Sequence, residues 1–197
     1  VEIPERAKYI RVIMDELTRI SSHTLWWGVM GMDLGAITTF LYGFRDHEHI
    51  TEIFEETCGA RLTMNYNVPG GVMFDIHENF VKRVKDFIAD FKNKLVEYDT
   101  LLSGNVIFLE RTKGVGILSK EDAISFGVTG PAGRASGFEC DVRKHEPYGI
   151  YDQVDFKEIL YTEGDTFSRY KARIDEMWES MNIIEQLLDR LGAHLGD

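Results

Sequence analysis

The chain has 197 residues, 44% of them hydrophobic, a formal net charge of −11 and a pI near 5.0. Length and apolar content together suffice for a sizeable core in one domain or a tight pair, which excludes a disordered chain. The acidic balance lacks the clustered Lys and Arg that neutralise phosphates, which excludes a nucleic-acid binder.

The opening residues, VEIPERAKYI, carry acids where a signal peptide has its basic segment, and no Met precedes them. They read as a piece cut from a longer protein. Pro4 followed by Glu5 is a helix start, since Pro is tolerated in the first turn and an acid there suits the helix dipole. Ile10, Ile13, Met14, Leu17, Ile20, Thr24, Leu25 and Val29 then recur at helical spacing, predicting a helix from about Glu5 to Met30. Lys8, Arg11, Asp15 and Arg19 form its polar outer face.

The stretch from Ile20 to Phe44, ISSHTLWWGVMGMDLGAITTFLYGF, has the length of a membrane span but holds an acid, Asp33, near its middle. An Asp at the bilayer centre costs roughly 3 kcal/mol, and Ser, His and Thr add to that cost. With four glycines in the stretch, a core helix, a bend near Gly31 to Gly35 and a second short helix fit better. Asp33 is then either an N-cap for a helix starting near Gly35 or a working acid in a buried pocket. His23 has no partner at metal-ligand spacing and reads as a satisfied core or interface histidine.

Ile37 to Leu41 and Glu48 to Cys58 read as two helical pieces, the second stopped by Gly59. RLTMNYNVPGGVMFD is a loop or hairpin turning at Pro69, Gly70 and Gly71. A one-sided amphipathic helix follows, its stripe formed by Phe80, Val84, Phe87, Ile88, Phe91 and Leu95. SKED at Ser119 to Asp122 resembles a capping box opening a short helix that Gly127 ends. Residues 128 to 152 are rich in Gly and Pro, and an irregular segment of that length is usually functional or at an interface. A last helix runs from about Asp165 to Leu191. The fold class is mainly α: a helical bundle with loop and short β insertions. Cys58 and Cys140 fall in no CxxC or Cys/His spacing, so this chain alone builds neither a zinc site nor an iron–sulfur cluster. Reduced thiols in the cytosol are the expectation.

Three strings, PERAKYIRVIMDELTRISSH, MDLGAITTFLYGFRDHE and RASGFECDVRKHEPYGIYD, together resemble the D-type (49 kDa) component of respiratory complex I, NADH:quinone oxidoreductase. The resemblance covers essentially the whole chain. It implies a bundle of the nickel–iron hydrogenase large-subunit type, with residues 1–197 a single helical domain internal to a longer subunit. An N-terminal β-rich segment and a C-terminal part would lie outside it.

It further implies a subunit that binds no cofactor or metal itself. Such a subunit walls a quinone chamber with a B-type neighbour holding a [4Fe–4S] cluster, beside C-, H- and I-type subunits, with NAD on a different subunit. The setting would be peripheral, on the cytoplasmic side of a bacterial inner membrane. Asp33 matches the acid that pairs with a headgroup His, which, like a headgroup Tyr, would lie upstream of Val1. The fragment alone is therefore expected to be inactive. Leu25, Val29, Phe40 and Leu41 match chamber-lining positions, although at helical spacing they also fit ordinary core packing.

Thr63 and Val68 stand where many members carry a His and an Arg near the cluster. A hydroxyl takes up no proton at neutral pH, so a lower-potential, less pH-dependent cluster suited to menaquinone is expected. Arg134, Asp141, Arg143 and Lys144 lie in the matching irregular segment, where Asp141 and Arg143 are expected to bind each other and pin the loop, with Tyr148 and Tyr151 as further anchors. Two other classes stay open: the large subunit of an energy-converting nickel–iron hydrogenase, and a non-catalytic scaffold.

Overall fold

The computed structural model describes residues 2–191. Helix α1 (Glu5–Asp33) and helix α2 (Ile37–Cys58) form a long antiparallel hairpin. A two-residue ribbon of β1 (Asn67–Val68) and β2 (Gly71–Val72) follows, pairing Asn67 with Val72 and Val68 with Gly71. Helix α3 (Phe80–Ser103) packs on α2 and on the last helix, α8 (Thr166–Leu191). Between α3 and α8 lie four short helices: α4 (Val106–Thr112), α5 (Lys120–Ser125), α6 (Gly130–Arg134) and α7 (Val142–His145). The fold is mainly α with one short β insertion.

The core sits where α1, α3 and α8 meet, and the stripes read from the sequence line it. Ile10, Ile13, Leu17 and Ile20 of α1, Phe80, Val84, Ile88, Phe91 and Leu95 of α3, and Tyr170, Met177, Met181, Ile184 and Leu187 of α8 are all buried. Ser119 caps α5 as the SKED string predicts, its hydroxyl accepting from the Asp122 N–H at 3.0 Å, and Gly127 follows in a left-handed conformation at φ 67°.

Several expectations change. The two pieces expected between Ile37 and Cys58 are one helix, because Gly43 is a contact rather than a break. Helix α1 runs through Gly28 and Gly31 to Asp33, so the bend falls at Leu34 to Ala36. Asp33 is no N-cap: it is the last residue of α1, and the residue capping α2 is Ala36. The outer face of α1 is not all solvated, since Arg11 reaches the ribbon, donating through Nε to the Gly71 carbonyl at 2.9 Å and through Nη2 to that of Val68. Helix α4 has no counterpart in the sequence reading; Asn105 caps it, accepting from the N–H groups of Ile107 and Phe108 at 2.9 and 3.3 Å. The segment 128–152 is irregular, as expected, but holds α6 and α7.

Candidate functional site

The α1–α2 hairpin is built on missing side chains. A Cβ on Gly28 would meet the Phe40 Cα at 3.3 Å, one on Gly43 the Thr24 carbonyl oxygen at 3.1 Å, and one on Gly31 would lie 2.7 Å from the Thr39 Cβ. The two backbones therefore touch, and Thr39 fills the remaining space, donating its hydroxyl to the Ala36 carbonyl at 2.7 Å. Backbone contact at Gly28–Phe40 and Thr24–Gly43 brings the stretch of α1 that carries Leu25 and Val29 against the stretch of α2 that carries Phe40 and Phe44. Phe40 and Phe44 pack with centroids 4.4 Å apart.

The outcome is an apolar surface along one side of the hairpin. Val29 and Phe40 are half-buried, while Leu25 is 36%, Phe44 42%, Ile37 58% and Leu41 61% exposed. Asp33 follows Leu25 and Val29 at four-residue spacing, so one stripe of α1 ends in a carboxylate at the hairpin tip. The structure thus places Asp33, Leu25, Val29, Phe40 and Leu41 on one hairpin. Within this chain Asp33 is exposed at the hairpin tip, beyond the glycine crossing, and of the two readings open for Leu25 and Leu41 ordinary core packing does not hold, since both are surface residues.

Thr63 and Val68 lie elsewhere, Thr63 between α2 and the ribbon and Val68 in β1 of the ribbon itself. Thr63 is exposed and takes φ 51°, a left-handed conformation that strains a β-branched residue. Val68 offers its carbonyl to Arg11.

Behind the hairpin, the irregular segment feeds a buried seam of charge between α1 and α8. Asp141 and Arg143 bind each other, Nε to Oδ1 at 3.0 Å and Nη2 to Oδ2 at 2.6 Å. Arg143 also reaches Glu16 Oε1 at 2.9 Å, which takes the Tyr151 hydroxyl at 2.6 Å as well. The other Glu16 oxygen accepts from Ser180 at 2.5 Å and from Arg19 at 3.2 Å. One turn or two further along, Arg134 donates to Glu176 Oε1 from Nε at 2.9 Å and from Nη2 at 2.5 Å, and His23 Nε2 lies 2.7 Å from Glu176 Oε2. Lys144 instead sits on the surface with its ammonium 4.0 Å from the Phe156 ring centroid, and the exposed Tyr148 ring packs edge-on against Tyr151 at 4.9 Å.

Burial alone would raise the carboxyl of Glu16. The guanidinium groups of Arg19 and Arg143, with the Ser180 and Tyr151 hydroxyls, outweigh it and hold the group below its ordinary range. Glu176 is lowered in the same way, against its burial, by His23 and Arg134. His23 is lowered chiefly by burial, against the pull of Glu176, so at neutral pH its Nε2–H donates to that carboxylate. Glu16 and Glu176 were not legible as site residues: on their own helices they look like two more acids.

These arrangements do different chemistry. The seam is fully paired and fixes α8 and the 130–151 segment against α1. The hairpin surface is apolar with one free acid at its end: no donor among the described residues reaches the Asp33 carboxylate. Such a surface suits a flat apolar ligand with a polar head, toward which the carboxylate, an acceptor, can orient a donor group.

Residues 33–196 match the family described as the 49 Kd subunit of respiratory-chain NADH dehydrogenase. The chain belongs to this family. It is 62% identical over 191 residues to the C/D-type NADH-quinone oxidoreductase polypeptide of Bacteroides fragilis, covering 97% of this chain and 36% of that protein. It is similarly 48% identical to the D-type NADH-quinone oxidoreductase polypeptide of Clostridium beijerinckii, covering 97% of this chain and 52% of that protein. The chain thus spans about half the length of its D-type relatives and about a third of the C/D type. The glycine-packed hairpin carrying Asp33 and, of the seam behind it, Glu16, Arg19, His23, Arg134, Asp141, Arg143 and Tyr151 lie inside or beside the three strings that carry the resemblance, while Glu176 and Ser180 come from α8. No helix among the described residues is long and apolar enough to cross a membrane.

Proposed function

We propose that this chain is part of the quinone-site subunit in the peripheral arm of a bacterial NADH:quinone oxidoreductase. The enzyme passes electrons from NADH through iron–sulfur clusters to quinone and couples this to proton translocation. The observation carrying the reading is the hairpin itself: in a chain of this family, an apolar face on two tightly packed helices ends in an acid with no partner of its own. In this role the face of Leu25, Val29, Phe40 and Leu41 walls the chamber. A B-type neighbour supplies the [4Fe–4S] cluster, and C-, H- and I-type subunits are the further neighbours. The work is peripheral, at the cytoplasmic face of the inner membrane.

Quinone reduction takes up two protons. Asp33 accepts a hydrogen bond from an imidazole contributed by another part of the subunit, holds its tautomer and stabilises the imidazolium that donates to the headgroup. The electron chemistry belongs to the cluster and the quinone. Asp33→Asn in the intact complex is expected to lower quinone reductase turnover by about 10²- to 10⁴-fold, with assembly and NADH oxidation by artificial acceptors retained. Unchanged quinone reduction would remove Asp33 from the site and leave the chain a scaffold.

Thr63 adds a second expectation for the same complex. A hydroxyl near the cluster exchanges no proton at neutral pH, so a redox titration of the terminal cluster should give a shallow pH slope, which Thr63→His should steepen. A steep slope in the unaltered complex would exclude this role.

A further inference from the structure

Helix α1 ends with an electrostatic conflict that its own sequence does not relieve. Asp33 is the last residue of a 29-residue helix and no basic residue lies in that helix's last turn, so a carboxylate sits at the negative end of the dipole, where cations are favoured. The turn beyond it satisfies most of its backbone groups internally. The Ala36 N–H donates to the Gly31 carbonyl at 2.8 Å and the Gly35 N–H to that of Met32 at 2.9 Å, with Gly35 at φ +93°. This is a Schellman ending, in which a left-handed glycine folds the chain back over the last turn.

The Leu34 carbonyl falls outside that pattern, and its partner comes from a different helix. Arg111 Nη1 donates to it at 2.9 Å across 77 residues of sequence. Arg111 stands on a fixed base: α4 is capped by Asn105, and it buries Phe108, whose ring meets Tyr170 edge-on at 5.0 Å, and Thr112.

We propose that Arg111 is the positioning residue for the Asp33 carboxylate. By holding the carbonyl of the very next residue it fixes the orientation of the turn that carries Asp33. It also brings to the end of α1 the positive charge that α1 lacks. Arg111 acts through the turn and does not touch quinone. The proposal rests on the reading of Asp33 as the quinone-site acid.

The test is made in the intact complex, with Asp33→Asn, Arg111→Met and Arg111→Lys compared by steady-state quinone reduction. Arg111→Met keeps the apolar stem and removes the donor and charge. It is expected to lower kcat for quinone by about 10- to 100-fold, the effect of misplacing a reacting group by an ångström or less, with KM for quinone little changed. Arg111→Lys, which restores charge and a donor, is expected to recover most of that loss.

A normal kcat in Arg111→Met beside a depressed Asp33→Asn overturns the proposal and leaves the site reading standing. Normal turnover in Asp33→Asn overturns the site reading and the proposal with it. Equal losses in the Met and Lys variants, or a rise in KM alone, mean a merely structural contact and also overturn it. If Arg111→Met fails to assemble, Arg111→Ala, which likewise removes both donor and charge from this exposed position, carries the same test, and wild-type kcat in that variant overturns the proposal.

Discussion

Replacing Glu16 by Ala is expected to destabilise the chain by about 3–5 kcal/mol, the range for removing one partner of a buried ion pair. Glu16 is 0% exposed, and its two oxygens take hydrogen bonds from Arg143, Tyr151, Ser180 and Arg19. Without the carboxylate, Tyr151 and Ser180 lose their acceptor. Arg143 keeps only Asp141 to balance a guanidinium with no route to water. Glu16→Gln, which still accepts, should lose less. Denaturant unfolding of wild type and both variants checks this, and a loss below about 1 kcal/mol for Ala would mean that the seam behaves like a surface pair.

The same seam sets the direction of the pH dependence. Glu16, Asp141 and Glu176 all lie below their ordinary carboxylate values when folded, each because arginines and hydrogen bonds outweigh burial. Groups lowered on folding add stability above their unfolded pKa and lose it as pH falls through the folded value. His23, lowered from 6.5 mainly by burial, has the same sign: the unfolded chain binds its proton first. Stability should therefore fall on acidification, gently from about pH 6.5 as His23 charges in the unfolded chain and steeply below the ordinary carboxylate range. In Glu16→Ala the steep limb should flatten.

What the sequence made legible is what depends on near neighbours. Helices α1, α3 and α8 show themselves because Ile10 to Ile20, Phe80 to Leu95 and Tyr170 to Leu191 bury one face at a 3.6-residue period. The ribbon shows itself because Pro69-Gly70-Gly71 punctuates two extended runs. Helix α4 escaped because it is short and leads with Val106 and Ile107, 66% and 60% exposed, so no buried stripe marks it.

The site was legible unevenly. The Asp141–Arg143 pair spans two residues and could be read locally. The acid it serves, Glu16, is 127 residues from Arg143, and Glu176 is 153 residues from His23. Nothing in the local pattern separates such acids from solvated ones. Asp33 stood out by composition, as a lone acid in an apolar run. Its exposure did not, because that depends on which elements reach the hairpin tip.

Enlarging Gly43 is expected to separate the hairpin and with it the proposed site. An added Cβ meets the Thr24 carbonyl oxygen at 3.1 Å and the Gly28 Cα and N at 3.2 and 3.4 Å. All three are backbone atoms of a buried helix, so no side chain can swing aside. Gly43→Ala forces a shift of a few tenths of an ångström against the helix-propensity gain of about 1 kcal/mol that Ala brings over Gly, and the two effects should nearly cancel. Gly43→Leu has no such compensation. Overpacking of this kind costs about 1–3 kcal/mol, and the helices must part or rotate to accept it.

Either response moves Phe40 and Phe44 relative to Leu25 and Val29, and so reshapes the apolar face leading to Asp33. In the intact complex Gly43→Leu should therefore lower quinone turnover and raise KM for quinone together, unlike Asp33→Asn, whose loss should fall on kcat. The Leu at Gly43 should also cost far more than one at Gly59, where a Cβ would meet nothing within 4 Å and the penalty is only the strain of φ +74°. Equal effects at the two glycines would mean that conformational strain, and not backbone contact between α1 and α2, is what glycine supplies at Gly43.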